Sequence, residues 1–142
     1  MCIRDSFQVN GGGTFSLGSS TTIKGNLQVQ NIPAGAAQNQ ICATSVGGDL
    51  QFHNNGTAVQ IGSSAPSCPG NVIGGNLQVQ NNTAATVMYG NTVAGNLQDQ
   101  TNTGSTQVFH NAVTHNLQCQ NNTSITGGGN TAAQKQGQCA SF

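Results

Sequence analysis

The residues best suited to acid–base chemistry are Asp49 and Asp99, because the chain has only three acidic residues and the third, Asp5, lies at its start. Hydrolysis of a glycosidic bond needs two carboxyl groups about 5–9.5 Å apart across that bond. Asp49 and Asp99 are 50 residues apart in sequence, and strand alternation turns Asp49 outward and Asp99 inward. We therefore expect no catalytic residues and no enzymatic activity.

Asp99 stands where the neighbouring repeats have Val79 and Cys119. Burying an unpaired charge at such an apolar position is costly. We expect a local bend of the chain at Asp99 that lets the carboxylate reach water or a backbone N–H group.

Metal binding is the chemistry that three histidines, His53, His110 and His115, would suggest. Structural zinc needs four closely spaced ligands, and calcium needs a cluster of acidic oxygens. The sequence offers neither arrangement, and His53 falls in an outward row of amide side chains. We expect all three histidines to be solvated, and no metal or cofactor to be bound.

The cysteines are expected to form two disulfides. Cys119 and Cys139 are 20 residues apart, and Cys42 and Cys68 are 26 apart, which is about one repeat in each part of the chain. Equivalent residues on adjacent rungs of a solenoid lie about 4.8 Å apart, within the Cα range of a disulfide. We predict both bridges, which persist only in an oxidising compartment. Reduced core cysteines are the alternative.

A recurring hexapeptide must position these side chains. Residues 75–80 read Gly-Asn-Leu-Gln-Val-Gln, and related stretches occur four more times. The leucines of the five copies are 23, 27, 20 and 20 residues apart: Leu27, Leu50, Leu77, Leu97 and Leu117. A nearly fixed period of about 20 with one short strand signature per period indicates a solenoid.

Alternation within the hexapeptide predicts a strand with one buried face. Leu77 and Val79 share one face, and Gln78 and Gln80 share the other. A helix would not place Leu77 and Val79 on one face, and Gly and Asn are poor helix formers. The predicted core is Leu27, Val29, Ile41, Val46, Leu50, Phe52, Ile73, Leu77, Val79, Met88, Val93, Leu97, Val108, Val113 and Leu117.

These patterns predict an all-β chain that forms a single-domain, right-handed parallel β-helix (a β-solenoid) of about six coils, each of roughly 20–27 residues. The right hand follows from the general rule for parallel crossover connections. Residues 1–5 resemble the translation of a sequencing adapter, so residues 1–6 are excluded from the predicted domain. The β-helix repeat domain is then expected to span residues 7–142 and to be truncated at its N-terminus.

A ladder of asparagines is predicted at one corner. Asn71, Asn91 and Asn111 recur at a spacing of 20 in a shared frame, and Asn130 extends the series. Asparagine tolerates the left-handed conformation that sharp corners need. Stacked amides can also form hydrogen bonds from rung to rung.

The outward rows of polar side chains form the candidate binding face. Two rows of glutamine define it: Gln28, Gln51, Gln78, Gln98 and Gln118; and Gln30, Gln80, Gln100 and Gln120, with His53 in the same row. Two threonine series also recur: Thr83, Thr103 and Thr123; and Thr86, Thr106 and Thr126. Phe109 is expected to stack over Tyr89 as a small adhesive patch or as cover for a corner. Plain polar strand faces, with no ligand, are the alternative for all of these rows.

Composition narrows the partners. Charged residues make up 4% of the chain and the net charge is zero, so neither nucleic acid nor an anionic membrane surface is an expected partner. There is no run of 18 apolar residues, so the sequence predicts no membrane span.

The Gly-Asn-Leu-Gln-Val-Gln-Asn-Asn coils, with residues 121–131 and 135–139, resemble a group of exported bacterial repeat proteins of unknown function. The likeness covers about residues 15–142. It implies an extracellular or cell-envelope location and supplies no catalytic residues. The coil is also similar, at the level of fold alone, to bactofilins and to pectate-lyase-like β-helices.

We therefore expect an exported, non-enzymatic solenoid with a structural, surface or adhesive role. One alternative is a carbohydrate-binding or ice-binding module that uses the stacked Asn, Gln and Thr rows. A second alternative is a polymer-forming scaffold of the bactofilin type. The candidate partners are a glycan or cell-surface polymer, and further copies of the chain joined end to end through exposed strand edges.

Overall fold

The computed structural model describes residues 1–35 and 37–142, and these residues contain strands and turns but no helix. The nineteen strands of the described residues, numbered in chain order, are β1 (Cys2–Ile3), β2 (Phe7–Asn10), β3 (Ser16–Leu17), β4 (Thr22–Ile23), β5 (Leu27–Gln30), β6 (Asn39–Ile41), β7 (Ser45–Val46), β8 (Leu50–His53), β9 (Val59–Ile61), β10 (Val72–Ile73), β11 (Leu77–Gln80), β12 (Thr86–Tyr89), β13 (Thr92–Val93), β14 (Leu97–Gln100), β15 (Ser105–Phe109), β16 (Ala112–Val113), β17 (Asn116–Gln120), β18 (Ser124–Gly128) and β19 (Gln134–Gly137). They are short because Gly and Asn turn the chain sharply between them.

Each turn of the chain contributes strands to three parallel sheets. Sheet A contains β1, β4, β7, β10, β13 and β16; sheet B contains β2, β5, β8, β11, β14, β17 and β19; sheet C contains β3, β6, β9, β12, β15 and β18. This topology confirms the predicted parallel β-solenoid. It has about seven turns, one more than the six that the repeats predicted.

The register of sheet B explains the spacing of the leucines. Leu77 pairs with Leu50 on one side and with Leu97 on the other, so the hexapeptides lie directly over one another. Leu117 then pairs with Lys135, only 18 residues further along the chain. The last turn is therefore shorter than the 20-residue period, and its hexapeptide position has lost the leucine.

The core is a column of apolar side chains enclosed by the three sheets. Every residue predicted for the core is buried, and the column also includes Leu17, Ile23, Ile32, Val59 and Ile61. In β5, β8, β11 and β14, buried and half-buried side chains alternate. The inward face is thus apolar and the outward face amide-rich, as the period of two requires.

The corner between sheets A and B needs the glycine of the repeat. A Cβ atom on Gly75 would collide with Oδ1 of Asp49, and one on Gly95 would collide with Oδ1 of Asn76. Without that Cβ, the backbone N–H of Asn76 donates to Asp49 Oδ1 at 2.7 Å, and the N–H of Asn96 donates to Asn76 Oδ1 at 2.9 Å. The Gly-Asn pair therefore builds a hydrogen-bond ladder along this corner.

The corner between sheets B and C uses two residues with different tasks. The first residue is left-handed and exposed: Asn31 (φ 58°), Asn54 (φ 59°), Asn81 (φ 55°), Thr101 (φ 57°) and Asn121 (φ 56°). The second residue points inward and is asparagine in four turns: Asn55, Asn82, Asn102 and Asn122. In the Asn-Asn doublet of the repeat, the first residue therefore adopts the left-handed conformation of the turn, and the second supplies the buried hydrogen bonds.

The corner between sheets C and A corrects one prediction. Asn91 and Asn111 were expected to adopt the left-handed conformation, but the left-handed residues are the ones before them, Gly90 (φ 67°) and His110 (φ 54°). The asparagines themselves are buried. Of the two reasons given for asparagine at this corner, only rung-to-rung hydrogen bonding applies.

Residues 2–3 belong to sheet A, because β1 pairs in parallel with β4 through Cys2↔Thr22 and Ile3↔Ile23. Part of the segment set aside for its resemblance to an adapter therefore takes a place on the first rung. The origin of residues 1–6 stays a prediction.

Candidate functional site

The predicted asparagine ladder between sheets C and A is confirmed. Asn91 Nδ2 donates to the Ile61 carbonyl at 2.8 Å and to Asn111 Oδ1 at 2.9 Å. Its Oδ1 accepts the backbone N–H and the Nδ2 of Asn71, at 3.0 and 2.9 Å. The series continues from Asn111 to Asn130. Both hydrogens and both lone pairs of the Asn91 amide are therefore used.

A second buried ladder lies between sheets B and C and was missed from the sequence. It runs through Asn55, Asn82, Asn102 and Asn122 with the same pattern of backbone and side-chain bonds. Gln138 completes it, since its Oε1 accepts the backbone N–H of Asn122 at 3.0 Å. The signal in the sequence was the 20-residue spacing of Asn82, Asn102 and Asn122.

The first glutamine row on sheet B is a continuous chain of amides. Gln51 donates to Gln78 at 3.1 Å, Gln78 to Gln98 at 2.9 Å and Gln98 to Gln118 at 3.0 Å. Gln118 then donates to Gln136, also at 3.0 Å. These side chains are half-buried, so each amide keeps hydrogen-bonding capacity that faces solvent.

The second glutamine row is less regular. The strand register aligns Gln30, His53, Gln80, Gln100 and Gln120, as predicted. One bond joins Gln80 to Gln100 at 3.3 Å. The other contacts involve Gln28 of the first row, whose Nε2 atom lies 3.4 Å from Gln30 Oε1 and 3.4 Å from His53 Nε2. His53 is thus half-buried within the amide face, whereas the prediction had it solvated.

One of the two threonine rows differs from the prediction. Thr83, Thr103 and Thr123 are exposed at a corner. Thr86 and Thr106 point into the core, where they are 1% and 2% exposed and their hydroxyls have no partner among the described residues. Thr126 pairs with Gln107 and not with Thr106. The second series is therefore not a surface row, because the coil before Thr126 is one residue short.

A small aromatic cluster lies at the end of β12 and β15. Tyr89 and Phe109 pair in register on the outer side of sheet C, as predicted. The exposed His110 ring lies 5.2 Å from the Tyr89 ring in an edge-on arrangement and 6.4 Å from the Phe109 ring. His115 is also exposed.

The two aspartates lie in opposite environments. Asp49 is half-buried and accepts the ladder bond from Asn76. Asp99 is fully buried, in register between Val79 and Cys119. The expected bend is wrong, because β14 is a regular strand and the carboxylate accepts a bond from the Asn102 side chain at 2.8 Å. Burial raises the pKa of Asp99 to about 7, although the bond from Asn102 acts in the opposite direction.

Both predicted disulfides are present. Cys42 and Cys68 have Cα atoms 4.6 Å apart and close the base of a loop at residues 62–70. Cys119 and Cys139 have Cα atoms 5.3 Å apart. The rung partner of Cys119 is Gly137, not Cys139, so this bridge reaches two residues past its rung and fastens the last corner. Cys2 is exposed and unbridged.

The geometry defines the chain as a β-solenoid whose coils are joined by side-chain amide ladders and two disulfides. No protein-family model, curated protein or solved structure matches the chain. Across residues 1–35 and 37–142, no pocket, no cluster of metal-ligating side chains and no helix suited to crossing a membrane is found.

Proposed function

We propose that the protein is an exported, non-enzymatic β-solenoid with a structural or surface role. The observation that carries this proposal is that the repeated polar side chains are used between coils. Ladders follow all three corners, and a glutamine chain follows sheet B. Because each coil contacts its neighbours, the ladders stiffen the whole column.

Export is supported by the disulfides, since such bonds persist in oxidising compartments. The test is to produce the chain in an oxidising and in a reducing compartment and to count thiols after denaturation. We expect one reactive thiol, that of Cys2, after oxidative production, and a higher melting temperature than for the reduced protein. Five thiols in both preparations, with equal melting temperatures, would contradict export.

The non-enzymatic role is supported by the separation of the two candidate carboxylates, one in an outward ladder and one in the core. The test is release of reducing ends from a panel of polysaccharides. We expect no turnover. Turnover that is lost in Asp49→Asn and kept in the control Asp5→Asn would overturn the proposal.

A carbohydrate-binding or ice-binding role is the second candidate, and the half-exposed glutamine chain from Gln51 to Gln136 favours it. Regularly spaced amides can donate to and accept from hydroxyl groups or ordered water. Glycan-array binding and thermal hysteresis test this role. Signal that is lost in Gln78→Leu but kept in Thr103→Val would place a ligand on the glutamine row; no signal in either assay would exclude it.

An end-to-end polymer is the third candidate. Within the described residues sheet B ends at β2, whose residues Phe7 and Val9 are half-buried. An unpaired strand edge can accept another strand. Sedimentation should show concentration-dependent oligomers that Val9→Lys abolishes, whereas a monomer at every concentration would contradict this role.

A further inference from the structure

Asp99 is the one charged residue that is buried in the described part of the chain. Its Oδ2 atom has no hydrogen-bond partner there. The facing strands give it no counter-charge: β11 presents Leu77 and Val79, and β17 presents Leu117 and Cys119, which is held in a disulfide. The other inward residues around it, from sheets A and C, are apolar or uncharged. An ionised carboxylate is therefore uncompensated, whereas a neutral carboxylic acid is tolerated.

Among residues 1–35 and 37–142, the one hydrogen-bond partner of the Asp99 side chain belongs to the buried ladder. Asn102 Nδ2 lies 2.8 Å from Asp99 Oδ1, 3.1 Å from the Val79 carbonyl and 3.1 Å from Asn122 Oδ1. An amide nitrogen has two hydrogens, so three acceptors compete for them. The equivalent Asn91 in the other ladder serves only two acceptors.

Ionisation of Asp99 changes the outcome of this competition. Hydrogen bonds to a charged acceptor are about twice as strong as neutral ones, so the carboxylate takes an N–H of Asn102 away from the ladder. Asn102 then loses one of two hydrogen bonds: the bond to the Val79 carbonyl in the coil before β14, or the bond to Asn122 Oδ1 in the coil after it. Cys119, the register partner of Asp99 on β17, is bonded to Cys139 in the last corner, so the disulfide does not bridge β14 to either neighbouring coil.

We propose that Asp99 is a pH-responsive element built into the core, which makes the coils around β14 more stable at acid pH than at neutral pH. The folded protein holds Asp99 as a neutral acid, and its ionisation weakens the Asn102 rung of the ladder.

The direction follows from linkage. The folded-state pKa of Asp99, about 7, lies above the ordinary value of 3.8. The unfolded chain therefore releases this proton at lower pH than the folded chain does. The stabilisation is complete below about pH 4, declines as the pH rises to about 7, and levels off above that. One proton per molecule corresponds to about a tenfold rise in the unfolding equilibrium constant per pH unit over this interval.

The experiment compares the wild-type protein with Asp99→Asn and Asp99→Val between pH 4 and pH 8. Both variants remove the titrating group, and Asp99→Val also removes the competitor for Asn102. We expect the unfolding constant of the wild type to rise with pH relative to both variants. The carboxyl carbon of Asp99 should titrate near pH 7 in the folded wild type.

Hydrogen exchange locates the effect. With intrinsic rates corrected for pH, amides in β11, β14 and β17 should lose protection between pH 5 and pH 8, and those in β5 should not. The proposal would be overturned if the unfolding constants of the wild type and the variants changed in parallel with pH, or if the Asp99 carboxyl titrated near pH 4. If neither variant folds, the carboxyl titration and the exchange map of the wild type still decide it.

Discussion

The buried asparagine ladders and the glutamine row of sheet B use the same functional group in different surroundings. Asn91 is fully buried, and its amide makes four hydrogen bonds, two of them to backbone atoms. Gln98 is half-buried, and its amide makes two bonds, both to other glutamines. Water can replace the partners of Gln98 but cannot reach those of Asn91.

This difference indicates where the stability of a charge-poor solenoid resides. Removing a buried partner leaves unsatisfied polar groups, each of which costs about 1–3 kcal/mol. An exposed amide that loses its partner exchanges one bond for another with water. The two buried corner ladders should therefore hold the coils together, and the glutamine row should chiefly determine what the surface presents.

The largest effect is expected when an amide enters the core outside a ladder. Leu97→Asn removes a fully buried side chain and adds an amide with no partner. We expect a loss of about 5 kcal/mol in the free energy of unfolding. The control Gln98→Asn, on the outward face, should cost little. Equal shifts in chemical denaturation would show that the assignment of faces is wrong.

The next largest effect is expected from breaking a ladder. Asn91→Ala leaves the backbone N–H of Asn71 and the Ile61 carbonyl without partners. We expect a loss of about 4 kcal/mol. The matched variant Gln98→Ala should lose about 0.5 kcal/mol, since its partners stay hydrated. The comparison fails if urea unfolding gives the two variants the same stability.

A smaller effect is expected from opening the terminal bridge. The double variant Cys119→Ser with Cys139→Ser should lose about 3 kcal/mol in the chain-entropy model. It should also speed hydrogen exchange at Asn122, because that ladder ends on Gln138, next to the bridge. Unchanged exchange at Asn122 would show that the bridge does not stabilise the ladder.

The matched control for the terminal bridge is the double variant Cys42→Ser with Cys68→Ser. It should cost a similar amount, since the two loops are of similar length. It should leave Asn122 protected, because this bridge lies near the corner between sheets C and A, close to Asn71, whereas Asn122 lies at the corner between sheets B and C.

The smallest effect, and the only gain, is expected at a left-handed corner residue. Thr101 has φ 57°, where Asn81 and Asn121 stand in the neighbouring coils. A β-branched residue is strained there, so Thr101→Asn should add about 1 kcal/mol. The control Thr103→Asn changes a residue without positive φ and should add nothing. If both variants raised the melting temperature equally, the gain would come from adding an asparagine and not from relieving the left-handed conformation at position 101.

Much of the fold could be predicted from the sequence because the leucine period and the strand alternation are both explicit. The core column followed from the spacing together with the alternation, and the first asparagine ladder and both disulfides followed from the spacing. The second ladder was missed because the Asn-Asn doublet looks like an ordinary polar turn, and nothing in the doublet itself marks the second residue as the buried one. Thr126 and Cys139 were misplaced because the last coils shorten by one or two residues, which a 20-residue frame does not reveal.

Asp99 shows a second limit on what could be predicted from the sequence. Strand alternation predicted that it points inward, but its partner is a ladder asparagine three residues away, Asn102. That contact depends on the depth of the corner, which no local pattern encodes. The pKa that results belongs to the folded environment and not to the sequence.

Exchange of side-chain amide protons would compare the buried ladders with the glutamine row in one experiment. In D2O, the Nδ2 protons of Asn71, Asn91 and Asn111 should persist long after the Nε2 protons of Gln78 and Gln98 have exchanged, because this asparagine ladder is buried and the glutamine row is half-exposed. Asparagine and glutamine protons that exchange together would show that the corner ladders open as freely as the surface row, and would contradict the account.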